Sequence, residues 1–232
     1  MLILGIETAG TQVGVAIAGQ EGVLASAHSG RDRRHAESLT PMIQFVANQA
    51  RIELTDVSAV AVDVGPGLFT GLRVGLASAM AIAHALGVQM IGVSSLDLLA
   101  FSARHSSRRI VTCMDARRTE VFTADYRAVP GGVQRITEPN VAAPGELRSE
   151  LVALKEDVLL VGDGALRYED EFRSLEHVEF GGPDLAHPSA RSLVDIAHHK
   201  AVREEFVPAN ELEPMYLRLP DAEINWKTRA DG

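Results

Sequence analysis

The chain opens on short apolar runs separated by polar turns. Leu2 to Ile6 is a continuous apolar run, which predicts a buried strand. Glu7 to Thr11 (ETAGT) is turn chemistry. Val13, Val15 and Ile17 alternate with small residues, predicting a second strand, and Val23 to His28 a third. From His35 to Ile52 the period changes. Leu39, Met42, Ile43, Val46 and Ala50 recur at helical spacing and form one apolar stripe. Pro41 lies inside this stripe; proline suits a first helical turn, so the helix is expected to start there. Ala59 to Val64 predicts the next strand. A Gly65-Pro66-Gly67 turn, an alanine-rich helix, a strand at Gln89 to Val93 and a short helix at Ser95 to His105 follow.

The pattern then repeats. LILGIETAGTQVGVAIA, from Leu2, and IVTCMDARRTEVFTADY, from Ile110, are each an apolar strand, an acid, a polar turn and a second strand. Glu7 aligns with Asp115, Thr11 with Thr119 and Val13 with Val121, at a constant offset of 108. VAVDVGPG, from Val60, is echoed by VLLVGDGA, from Val158. Pro130-Gly131-Gly132 predicts a hairpin turn; Pro144 to Leu154 and Pro188 to Val202 predict helices. Two copies of β-β-β-α-β-α predict an α/β chain with a duplicated ribonuclease-H-like fold. That is the architecture of the actin, Hsp70 and sugar-kinase superfamily. The expected parts are residues 1–105, a reduced copy at 106–206, and an extended tail at 207–232 lying across the body.

Composition narrows the function. Hydrophobic residues make up 46% and aromatics 5% of the 232 residues, so the core is built of Ala, Val, Leu and Ile. With 22 basic and 31 acidic residues the net charge is −9, which argues against a globally basic nucleic-acid surface. Arg31, Arg33 and Arg34, then Arg108 and Arg109, then Arg117 and Arg118 read as solvated loop charge. Cys113 is the only cysteine, so no internal disulfide forms, and with no signal peptide at Met1 a cytoplasmic location is expected. Its apolar surroundings mark it as a small core residue. Val74 to Leu96 carries no charged residue and is long enough to mimic a membrane span. Its polar residues and the Gly87 break make it a buried helix–strand unit instead.

The candidate chemistry is sparse. The Gly65-Pro66-Gly67 loop resembles a phosphate cradle, but no Lys-Ser/Thr follows, so it is not a P-loop and reads as a structural turn. Thr70 is the expected N-cap, with Phe69 and Val74 as a hydrophobic staple. Arg73 sits in the first helical turn, where the dipole disfavours a cation, and so marks a contact, with Asp63 or another acid as its offset. Leu72, Gly75, Leu76, Ala79, Met80 and Ala83 form one stripe on a helix that lacks charge almost all round. Such a helix is buried on more than one side, by its own sheet and by a neighbouring helix or another chain. Kinases of this superfamily hold Mg²⁺ and phosphates with an Asp and a glycine-rich hairpin in each half. The equivalent positions here are Glu7, Thr8, Gly10 and Thr11, then Asp115, Arg117 and Arg118, with Gly162 and Gly164 as a thin adenosine loop. An ATP-dependent phosphotransferase or ATPase is therefore the alternative function. No His-x-x-x-His, HExxH or nucleophilic triad is present, so neither a metal site nor a catalytic residue is assigned.

GPGLFTGLRVGLASAMAIAHALG closely resembles the signature of the TsaB family, the scaffold subunits of bacterial tRNA threonylcarbamoyladenosine modification. RHAESLTPMI, MDARRTEVF and EPMYLRLPDA match the same family in order. The resemblance implies the actin-like double fold and no catalysis by this subunit alone. It implies pairing with a TsaD-like catalytic subunit, which holds the metal and transfers the threonylcarbamoyl group to adenosine 37 of tRNA. A TsaE-like ATPase joins them, ATP or ADP enters only within the complex, tRNA is met only there, and no membrane is involved. The pairing falls on the helix stripes: His35, Leu39, Met42, Ile43 and Val46, and Leu72, Arg73, Leu76, Ala79 and Met80. Alone, the same face would form a homodimer. The older peptidase M22 label lacks its His-x-x-x-His here, and Glu7 replaces the Asp common at the end of the first strand.

Overall fold

Each half of the chain lays down a sheet in the same strand order. The computed structural model describes residues 1–30 and 35–218; the Arg31, Arg33, Arg34 cluster and the tail beyond 218 fall outside them. The first half runs β1 (Ile3–Glu7), β2 (Val13–Gly19), β3 (Gly22–Ser29), α1 (His35–Ala50), β4 (Ala59–Gly65), α2 (Phe69–Leu86), β5 (Gln89–Ser94) and α3 (Ser95–Ser102). Its sheet order is β3-β2-β1-β4-β5, with β4 and β5 parallel to β1. The second half runs β6 (Arg109–Arg117), β7 (Glu120–Val129), β8 (Gly132–Arg135), β9 (Asn140–Ala142), α4 (Pro144–Ala153), β10 (Val158–Val161), α5 (Asp163–Arg167), α6 (Glu169–Phe172), β11 (Val178–Phe180) and α7 (Ala190–Val202). Read from β8, its order is β8-β7-β6-β10-β11, the same path, with β9 added beside β7. The duplicated ribonuclease-H-like fold is thus the observed one.

The apolar runs follow from burial on both sheet faces. Leu4, Ile6, Val15, Ile17, Val60 and Val62 point to α1 and α2. Ile3, Ala16, Ala18, Ala59 and Ala61 point the other way, to α7. Each fully buried Val, Leu or Ile among them contributes about 1.5–3 kcal/mol, and each Ala about one methyl's worth, roughly 0.8 kcal/mol. The halves exchange their last helices. α7 comes from the second half but packs on the first sheet, while α3 lays Leu96, Leu99 and Ala100 on the second. Ser102 of α3 and Ser192 of α7 join the crossing, Oγ to Oγ at 3.0 Å. The described part of the tail pairs with Met90 through Val207, and Met215 N donates to Val64 O at 2.7 Å.

Several local expectations are corrected. α1 starts at His35, and Pro41 sits within it at an exposed position, because inward Leu39 and the pinned His35 hold the first turn in register. α2 starts at Phe69 and its N-cap is Leu68, so neither the Thr70 cap nor the Phe69–Val74 staple forms. Leu68 N instead donates to Ala9 O at 2.7 Å, a long-range bond that fixes the helix start. α7 starts at Ala190, capped by Ser189 Oγ, two residues beyond Pro188. β9 and β11, three residues each, carried no periodic signal. By length and composition α2 could cross a membrane, but it stops at Gly87 (φ 66°) and its inner side packs in the first core.

Candidate functional site

The glycine turn and the small-residue helix serve the first hairpin. Thr8 Oγ1 donates to Gly71 O at 2.8 Å. A Cβ at Gly71 would strike Thr8 O, and one at Gly75 would strike Thr8 Oγ1. Only glycine lets α2 lie this close to the β1–β2 loop. His35 closes the other side: its Nε2–H donates to Gly10 O at 3.1 Å. The loop Thr8 to Thr11 is therefore clamped between α1 and α2.

Two buried carboxylates stand beneath this clamp. Glu7 ends β1, and Asp63 lies two residues before the end of the neighbouring parallel β4; following the register of Ile6 with Val62, both point to the same sheet face. Glu7 Oε1 accepts from Ala9 N at 2.9 Å and Gly10 N at 3.4 Å. Asp63 Oδ1 accepts from Gly65 N at 2.8 Å and from Ser95 Oγ at 2.7 Å, while its Oδ2 has no partner. Burial, then the neighbouring Asp63 charge, raises the Glu7 carboxyl well above the usual range. Burial pushes Asp63 up to about 7 against its two hydrogen bonds, with Asp97 adding to the rise. Glu7 also lines a cleft of about 270 Å³, with Gln12, His28, His187 and Arg191 around it.

The second hairpin repeats the topology but not the register. Glu7 pairs with Gly14, whereas Asp115 pairs with Val121, so the second loop closes one residue tighter. Arg117, Arg118 and Thr119 form its turn with φ of 67°, 52° and 59°, all left-handed without a glycine. Asp115 Oδ2 accepts from Arg117 Nη1 at 2.8 Å and Arg167 Nη1 at 3.2 Å, and its Oδ1 accepts from Arg117 N. Gly162 and Gly164 are glycines because a Cβ at either would run into Cys113 O of β6. Burial pushes the Cys113 thiol upward, as suits a core residue.

These residues do not fit a magnesium nucleotide. The Ala9 and Gly10 amides that would cradle a phosphate are held by Glu7. Asp115 is neutralised by the chain's own guanidiniums, and the Gly162 loop is packed on a strand. Among the described residues no three His, Cys, Asp or Glu side chains are placed to hold a metal ion.

The helix stripes face inward. His35, Leu39, Ile43, Val46, Leu72, Leu76 and Ala79 are all between 0 and 8% exposed and pack on the sheet or the first hairpin. In the single chain these side chains are turned away from solvent. Met42 and Met80 are half-buried, and Arg73 is exposed. Arg73 does not meet Asp63: its guanidinium lies 3.7 Å from the Phe69 ring centroid and its Nε donates to Tyr216 Oη at 3.2 Å. The exposed positions of this helix layer include Thr40, Pro41 and Phe45 on α1 and Ala77, Ala81 and Ala85 on α2, interspersed with polar Gln44, Asn48 and Gln49 on α1 and Thr70, Arg73 and His84 on α2. Phe45 is 54% exposed. Periodicity missed this face, because exposed Ala77 and Ala81 look the same in sequence as buried Ala79 and Ala83.

Fold and site together define a member of the actin-like, duplicated ribonuclease-H class in which Glu7 and Asp115 are held by the chain's own amides and guanidiniums. The family model described as "TsaD: tRNA N6-adenosine threonylcarbamoyltransferase" matches residues 23–226. The tRNA threonylcarbamoyladenosine biosynthesis protein TsaB of Escherichia coli is 30% identical, covering 98% of this chain and 97% of that protein. TsaB of Bacillus subtilis is 27% identical, covering 97% and 98%. The solved structure of YeaZ from Pseudomonas aeruginosa superposes with a TM-score of 0.82 at 27% identity, covering 93% of this chain and 99% of that one. Component A of the Acidaminococcus fermentans (R)-2-hydroxyglutaryl-CoA dehydratase, at 11% identity and a TM-score of 0.50, shares the fold. The chain belongs to the TsaB family, within the wider group that the TsaD family model describes.

Proposed function

We propose that this protein is a non-catalytic cytoplasmic subunit of tRNA threonylcarbamoyladenosine biosynthesis that docks a TsaD-family catalytic subunit on the outer face of α1 and α2. Near-full-length similarity to proteins named for that biosynthesis supports the pathway. The observation that carries the docking reading is the outer helix face itself. Ala77, Ala81 and Ala85 make an exposed small-residue track on α2 that lets a partner helix approach closely, and Phe45, exposed on α1, offers a large apolar anchor. The inward stripe fixes this face from behind by locking both helices to the sheet and the first hairpin. The commitment of Glu7 and Asp115 to intramolecular partners supports a subunit without turnover of its own. ATP or ADP, a TsaE-like ATPase and tRNA then belong to the assembled complex, and two copies meet through the same face when no partner is present. Co-purification with the TsaD-family subunit of the same organism tests the docking, with Ala77→Arg expected to abolish it.

A further inference from the structure

A cavity of about 420 Å³ lies where α3, the β7–β8 hairpin and α7 meet. It shares no wall residue with the Glu7 cleft, which sits at the other end of α7. Its size is that of a small-molecule pocket. Phe101, Val133, Ile196 and the ring of Tyr126 supply apolar wall.

The charges on this wall do not cancel. Asp97 is neutralised, accepting from Arg135 Nη2 at 2.7 Å on each oxygen and from Tyr126 Oη–H at 2.9 Å. Arg203 is paired with Glu205 at 3.3 Å. Lys200 remains. It is half-buried, donates one N–H to Gly92 O at 3.1 Å, and meets no carboxylate among the described residues. An ammonium has three N–H donors, so two are left for a ligand. Acidic residues outnumber basic ones 31 to 22, so an uncompensated cation in a concave, partly apolar wall stands out.

We infer that this cavity binds a small organic carboxylate, its charged end on Lys200 and its flat or aliphatic body against Phe101, Val133 and Ile196. One uncompensated positive charge matches one carboxylate, and the two remaining N–H groups match its two oxygens. The walls come from both halves, so the ligand also ties α3 and α7 to the second sheet.

Benzoate and its neutral counterpart benzamide are the probes, titrated into the full chain while backbone amide resonances are followed. Benzoate is expected to give saturable shifts confined to the cavity wall. Benzamide should bind at least about tenfold more weakly, the loss of one hydrogen bond between charged groups. Lys200→Gln keeps a donor to Gly92 O and removes the charge; it should lose benzoate binding by a similar factor with the folded spectrum intact. If that variant unfolds, Val133→Trp, which fills the cavity from the hairpin side, should abolish the shifts. The inference is overturned if benzoate gives no saturable shift, if benzamide binds as well as benzoate, or if either variant, folded, binds benzoate like the parent protein.

Discussion

Replacing Asp63 by Asn removes a carboxylate that the fold buries with one oxygen unpartnered. A folded-state value of about 7 against an ordinary 3.8 means the native protein holds this proton more tightly than the unfolded chain does. Stability contributed by the protonated form is therefore fully present below about pH 4 and is lost as pH rises towards 7. The full loss is about 4 kcal/mol, taking 1.36 kcal/mol for each tenfold change in proton affinity. Asn keeps an acceptor for Gly65 N and Ser95 Oγ but gives up the charge, which costs about 1 kcal/mol in weaker hydrogen bonds. Asp63→Asn is thus expected to be more stable than the parent by about 3 kcal/mol at pH 8, and within about 1 kcal/mol of it at pH 4. Urea unfolding across this range measures both. The reasoning is refuted if the variant is less stable at pH 8, or if its stability falls between pH 4 and pH 7 as steeply as the parent's.

Four further substitutions probe the packing. Ala79→Arg places a charge in the first core and should leave little folded protein, whereas Ala77→Arg, exposed on the same helix, should leave the thermal midpoint within a few degrees; circular dichroism melts separate the two. Gly75→Ala drives a methyl into Thr8 Oγ1 and should cost about 1–3 kcal/mol in urea unfolding. Tyr216→Ala removes the ring tilted on Phe69, at 5.4 Å between centroids, and the acceptor for Arg73; the cost should be about 0.5–1.5 kcal/mol by the same assay.

Much of the fold was legible because both sheets are buried on two sides. β1 and β4 read as apolar runs, β2 as an alternation of Val13, Val15 and Ile17 with small residues, and the shared strand–acid–turn–strand pattern at Glu7 and Asp115 revealed the duplication. The site was less legible, for a physical reason. α2 is apolar nearly all round, so periodicity picked out a stripe but could not say which side the sheet would take. The sheet took the side bearing Leu72, Leu76 and Ala79, leaving Ala77 and Ala81 outside. The Thr70 cap failed because Leu68 N is held by Ala9 O, across 59 positions of chain that no local rule sees. The Asp63–Ser95 link and the Arg73–Tyr216 contact are long-range in the same way. The constant offset of 108 predicted equal hairpins, and a one-residue tightening at Arg117 broke that equality.

The most direct test of the docking account is co-expression of this chain with the TsaD-family subunit of its own organism, followed by size-exclusion chromatography. Ala77→Arg is compared with Val152→Arg, an exposed position on α4 away from the proposed face. The account predicts one complex for the parent protein and for Val152→Arg, and separate subunits for Ala77→Arg with its fold intact. A complex that survives Ala77→Arg but is lost with Val152→Arg would contradict it.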